Sequence, residues 1–119
     1  MSFGGGTTGI TYAEQTGRYR KIGSMVTAWG RLTLSNNGSS SGVAKITGLP
    51  FTSSADVAQA GYVGYYGGLV AGIASVLLVV AAGTTTVEMR HETAGTCSNI
   101  DETGALDSTD IIFTLPYFV

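Results

Sequence analysis

The sequence predicts an all-β protein, a jelly-roll-like antiparallel β-sandwich, and three observations carry that class. Apolar and polar residues alternate with period two over Val26–Ser35 and Thr84–Glu92, and Ile111–Val119 runs in the same phase; this is the spacing of strands whose successive side chains point to opposite faces. Glycine supplies 18 of the 119 residues, and many sit between these runs, where reversals of the chain need a residue tolerant of positive φ. No stretch shows a sustained helical period. Strands at this spacing, joined by glycine-rich turns, fit a sandwich or jelly roll.

Taken in order, Ser2–Gly9 is mostly glycine and threonine with Phe3 as its only large apolar residue, and residues 1–9 read as a flexible arm that orders on a partner. Gly4 to Gly9 spells GxGxxG, but a dinucleotide fingerprint needs a strand before it and a helix after it; three residues cannot make that strand. Residues 10–119 form a single β-sandwich domain. Ile10–Tyr12 and Arg18–Ile22 read as short strands around a turn at Gln15–Gly17. Lys21–Phe51 reads as a long β-hairpin: Val26, Ala28, Gly30, Leu32 and Leu34 point one way, and Thr27, Trp29, Arg31, Thr33 and Ser35 the other. Asn36–Gly42 reverses the chain, Val43–Thr47 returns, and Gly48 and Pro50 end the return strand.

Between Asp56 and Glu88 there is no charged residue, a length that would satisfy a membrane-spanning helix. Glycines at 61, 64, 67, 68 and 72 and β-branched residues over Val76–Val80 favour strands instead. Gly61–Tyr66, Leu69–Ile73 and Ser75–Ala82 are the three expected here, the last buried on both faces. Thr84–Glu92 places Val87, Met89 and His91 opposite Thr86, Glu88, Arg90 and Glu92. Ala94–Thr109 reads as a loop. The almost wholly apolar strand Ile111–Val119 belongs at the centre of a sheet or in a subunit interface, with Pro116 where a ladder bond is missing.

Composition narrows the function. The chain has room for one domain, and its charged residues, 12%, fall well below the roughly 25% of ordinary soluble domains, as expected where neighbours cover surface. A net charge of −2 argues against a nucleic-acid partner, which calls for a basic face. Cys97 is the only cysteine and reads as a free thiol outside any metal spacing. Met1 is followed by no basic, apolar leader, so no secretory signal is expected.

The opening FGGGTTGITY (Phe3–Tyr12), the run GRYRKIGSMVTAWGRLTL (Gly17–Leu34) and the loop and return NNGSSSGVAKITGLPF (Asn36–Phe51) together resemble a recurrent domain of tailed-bacteriophage structural proteins. That domain is found in tail-fibre tips, tailspike ends and capsid-surface proteins. GTTTVEM (Gly83–Met89) and the terminal Tyr117, Phe118 and Val119 are weaker matches. The resemblance implies a trimeric jelly-roll sandwich of binding or structural duty and transfers no catalytic residue.

His91, the only histidine, falls on the apolar face of its strand and reads as packed rather than catalytic. Asp101, Glu102, Asp107 and Asp110 form the one acidic cluster, in no calcium-loop spacing, and read as a solvated loop. No catalytic, metal or cofactor site is expected, and no enzyme. Trp29, Arg31, Tyr62, Tyr65 and Tyr66 are the candidate interface or ligand contacts, since aromatics and Arg anchor interfaces and stack on sugars.

The expected function is a capsid decoration, or cement, protein of a phage head, resident in the virion and assembled in the bacterial cytoplasm. Its partners would be two copies of itself, completing a homotrimer, and the major capsid protein or other virion proteins; neither nucleic acid nor membrane insertion is expected. Phe3, Gly4, Gly5 and Gly6 would form the capsid-contacting arm. The alternative is the receptor-binding tip of a tail fibre or tailspike that holds host surface glycans through Asn36–Gly42; the lack of a shaft segment ahead of Met1 favours decoration.

Overall fold

The computed structural model describes Met1–Val119 as nine strands and no helix: β1 (Ser2–Phe3), β2 (Ile10–Ile22), β3 (Met25–Asn37), β4 (Ala44–Thr47), β5 (Gln59–Leu69), β6 (Leu77–Val80), β7 (Thr86–Thr93), β8 (Thr96–Asn99) and β9 (Ala105–Phe118). Every pairing is antiparallel, in the order β1-β4-β7-β6-β5-β9-β3-β2, and β8 continues beside β4 along one edge of β7. The sheet rolls into a barrel-like sandwich that stops short of closing between β1 and β2. From β2 through β3, β9, β5, β6 and β7 to β4, the strands follow the wrapped order of a jelly roll. The remaining place, between β4 and β2, is held by the two residues of β1.

Alternation decides which side chains go inside. Val26, Ala28, Leu32 and Leu34 of β3 face the core together with Ile111, Phe113, Leu115 and Tyr117 of β9. Leu78 and Val80 of β6, Val87 and Met89 of β7, and Ala44 and Ile46 of β4 close it from the other side. The terminal strand is central, between β3 and β5. Its ladder with β5 ends at Tyr62↔Thr114, before Pro116, and the Gln59 side-chain amide then takes over, accepting from the Phe118 N–H and donating to its carbonyl. Pro116 thus falls in the gap between the end of the β5 ladder at Thr114 and the side-chain bonds at Phe118, the kind of place expected for it.

The long hairpin is corrected. β3 and β4 do not pair: β3 lies between β2 and β9, whereas β4 pairs with β1 and β7. The true hairpin is β2–β3, closed by Gly23 and Ser24 between the paired residues Ile22 and Met25. Gly23 has φ +60° while Ser24 does not enter positive φ, the signature of a II′ turn, whose twist matches that of its strands. A two-residue loop closes at less entropic cost than seven residues, and it gives β3 a thirteen-residue partner in place of a four-residue one.

β2 is one strand where a turn at Gln15–Gly17 was expected. Gly17 lies opposite Gly30, and a Cβ on Gly30 would sit 2.4 Å from the Thr16 carbonyl oxygen, whereas a Cβ on Gly17 would meet nothing within 4 Å; Gly30 lets the two strands approach, and Gly17 makes no turn. Gly61–Tyr66 belongs to one longer strand, β5, which ends at Leu69, and Leu69–Ile73 is not a separate strand. Over Val76–Val80 burial alternates, with Leu77 exposed, so that segment is covered on one face only. Ala94–Thr109 is not a loop: Ala94 and Gly95 make a tight turn into β8, and β9 begins at Ala105. The opening segment, expected to be a free arm, is folded down. Met1, Ser2 and Phe3 are buried, β1 pairs with β4, and Phe3 is 1% exposed within the core.

Candidate functional site: an aromatic sheet face

The outer face of β2, β3, β9, β5 and β6 carries most of the large apolar side chains that the core leaves out. Register aligns Arg18, Trp29, Thr114, Tyr62 and Leu77 across these strands in one row, and Thr16, Arg31, Ile112 and Tyr65 in the next. Tyr62 is 71% exposed, Tyr65 51%, and Trp29 and Ile112 43% each. Cross-strand neighbours on one face lie about 4.5–5.5 Å apart at Cβ, so these side chains form a continuous aromatic and aliphatic band. Isolated exposed apolar residues are ordinary; a contiguous group on a rigid sheet marks an interaction surface.

Tyr62 and Tyr65 are three residues apart, a spacing that places side chains on opposite faces of a regular strand. A bulge between Val63 and Tyr65, at Gly64, absorbs the odd residue and brings both rings to the outer face. The same shift turns Tyr66 inward, where it packs on the core and donates its hydroxyl hydrogen to the Ala74 carbonyl at 2.7 Å. Of the five candidate contacts, then, Trp29, Arg31, Tyr62 and Tyr65 come together and Tyr66 does not. Ile112 and Leu77 complete the band without having been singled out. Their signal was the parity of Ile112 against Ile111 and Phe113, and its meaning depended on knowing which parity faces the core.

One rim of the band is an ionic network. Arg31 grips Asp110 with two hydrogen bonds, Nε to Oδ1 at 3.1 Å and Nη2 to Oδ2 at 2.8 Å, while Nη1 lies 3.3 Å from Glu14. Thr33 donates its hydroxyl to the same carboxylate at 2.9 Å. The Arg31 guanidinium, helped by Thr33, holds the Asp110 carboxyl below the ordinary carboxylate range, and Asp110 raises Arg31 in return. Arg31 is thus a fixed, neutralised edge of the face rather than a free cation for an anionic ligand.

The acidic residues do not converge. Asp101 accepts from the Thr103 hydroxyl and from the backbone N–H groups of Thr103 and Gly104, which hold its carboxyl low. Glu102 accepts from the Gly42 N–H and Asp107 from the Asn37 N–H, so both tie Asn36–Gly42 to the start of β9. No three His, Cys, Asp or Glu side chains gather as metal ligands. His91 sits half-buried opposite Ser98, with Nδ1 3.1 Å from the Thr93 hydroxyl. Cys97 is an exposed free thiol on β8. Of the expected arm contacts, Phe3 is in the core, Gly4 and Gly5 are exposed at the tight turn that follows, and Gly6 is half-buried. No helix is long and apolar enough to cross a membrane.

No protein-family model matches the chain, and no curated protein or solved structure matches it.

Proposed function

We propose that this chain is a non-enzymatic structural protein of a bacteriophage particle, a decoration protein that assembles as a homotrimer and uses its aromatic outer face to bind its neighbours. The observation that carries the reading is the band of Trp29, Tyr62, Tyr65, Ile112 and Leu77 on one sheet face, set in register by the strand ladders and edged by the Arg31–Asp110 grip. Rigid aromatics lose little conformational entropy on binding and dominate interface energetics. The low charge of the chain and its resemblance to phage structural domains point the same way.

Asn36–Gly42, the loop on which the receptor-tip alternative rested, is tethered: both side-chain N–H groups of Asn37 are given to the carbonyls of Glu102 and Ala105, and the Gly42 N–H to Glu102. A glycan-binding tip would therefore use Trp29 and Tyr62 rather than this loop.

Sedimentation tests the assembly. The purified protein should run at three times its 12.2 kDa chain mass, and a Trp29→Ser, Tyr62→Ser double variant should run as a folded monomer. A wild-type monomer at about 100 μM, far above the concentration that a stable interface requires, removes the trimer. Quantitative mass spectrometry of purified virions then separates the roles. Copies comparable to the major capsid protein support decoration, a handful per particle support the tail tip, and absence removes the virion assignment.

A further inference from the structure

A second surface, bordering the aromatic band along β2, is built into the seam where the sheet fails to close. β2 pairs with β3 along one edge only, and from Glu14 to Ile22 its other edge has no backbone partner. Since Ile22 and Met25 close the two-residue turn as a hydrogen-bonded pair, the odd-numbered residues Gln15, Gly17, Tyr19 and Lys21 turn their N–H and C=O groups toward that open edge. β1, on the far side of the seam, is two residues long. No strand-to-strand backbone hydrogen bond bridges the opening. At one end the Met1 ammonium donates to the Tyr12 hydroxyl at 2.6 Å. At the other, Tyr19 meets Phe51 edge-on at 5.6 Å and Lys21 stands 4.6 Å over the same ring. Between these bridges lies a groove of about 320 Å³ whose lining includes Gly17, Tyr19, Leu32, Ile46, Leu49 and Phe113.

The charge along this lip is unmatched. Arg31, Lys45 and Arg90 each have a carboxylate within 4.0 Å, whereas Arg18, Arg20 and Lys21 have none. Half of the chain's six cations therefore lack a carboxylate partner within four consecutive residues of an open strand edge, Lys21 resting on the Phe51 ring. Arg18 and Arg20 are two apart, so they share the outer face of β2 while the groove lies on its inner face.

We infer that the seam is a β-augmentation site for an extended acidic segment of another protein. The incoming strand pairs with the open edge of β2, seats alternate apolar side chains in the groove, and sets carboxylates two residues apart opposite Arg18 and Arg20. It takes the place that a full closing strand occupies in a complete jelly roll. The donor is a different chain, because no two acidic residues of this sequence stand two positions apart. The inference does not rest on the virion assignment, and it needs no contact by Tyr62 or Tyr65.

The probe is a synthetic peptide of alternating Glu and Val, compared with its Lys and Val counterpart, and the readout is amide hydrogen exchange by NMR on the full-length protein. The Glu peptide should slow exchange at Gln15, Gly17, Tyr19 and Lys21 by about tenfold or more, and the Lys peptide should not. The Arg18→Glu, Arg20→Glu double variant should reverse that preference, a gain that a misfolded protein cannot produce. Three outcomes overturn the inference: no slowing by the Glu peptide at millimolar concentration, equal slowing by both peptides, or slowing that rises with protein concentration and no peptide present. The last would identify a second copy as the occupant.

Discussion

Phe3→Ala distinguishes a packed N-terminus from a free arm, and its size can be worked from the structure. Phe3 is 1% exposed, lies in the main core cluster, and is held there by β1 pairing on β4 and by reciprocal backbone hydrogen bonds with Gly6. Burying a phenylalanine side chain contributes about 1.5–3 kcal/mol by transfer alone, and the cavity left behind brings the cost of Phe→Ala to about 3–5 kcal/mol. A domain of this length has roughly 6–18 kcal/mol in total, so the loss is a large share of it. With a urea slope of about 2 kcal/mol/M, the midpoint should fall by about 2 M, measured at one fixed protein concentration. Val57→Ala serves as the control, because Val57 is 62% exposed and its loss should change stability by no more than about 0.5 kcal/mol. A midpoint shift for Phe3→Ala no larger than that of Val57→Ala would refute the packing argument and restore the free arm.

Two further outcomes follow from the sheet. The Asp110 carboxyl is held below its ordinary 3.8 by Arg31 and Thr33, so the unfolded chain takes up this proton first. The stability contributed by the grip is complete above 3.8 and is lost as pH falls through the lower folded value; the gap in urea midpoint between wild type and Asp110→Asn should hold from pH 7 to 5 and close below pH 3.8. Gly30→Ala drives a Cβ to 2.4 Å from the Thr16 carbonyl oxygen, whereas a Cβ on Gly64 meets nothing within 4 Å. The first should cost about 1–3 kcal/mol as overpacking and the second under about 0.5 kcal/mol; equal costs in urea unfolding would mean that β2 and β3 do not approach at Gly17 and Gly30 as drawn.

Alternation by itself determined a good deal. The all-β class, the inward set of β3 from Val26 to Leu34, and the split of Val87 and Met89 from Glu88 and Arg90 are local consequences of a two-residue period, which any strand carries wherever it is placed; the nearly all-apolar last strand left the centre of a sheet and a subunit interface both open. Trp29 and Arg31 were legible as outward residues for the same reason. The two-residue Gly23-Ser24 turn was legible as well, since Gly-Ser between alternating runs is a hairpin signal; the more conspicuous Asn36–Gly42 drew the reversal to itself.

What only the tertiary structure decided was partnership. Period two states that a residue has a face but not which strand lies beside it, so β4 could be read as the mate of β3 when its mates are β1 and β7. The bulge at Gly64 changes parity through pairing with β9, and no local pattern distinguishes it from a regular strand; it brings Tyr65 onto the face and takes Tyr66 off it. Asp110 meets Arg31 across 79 positions of sequence. Phe3, flanked by residues that favour disorder, is ordered by a core that forms from strands far along the chain. These are long-range contacts, and their free energy comes from burial and hydrogen bonding that exist only once the sheet has formed around them.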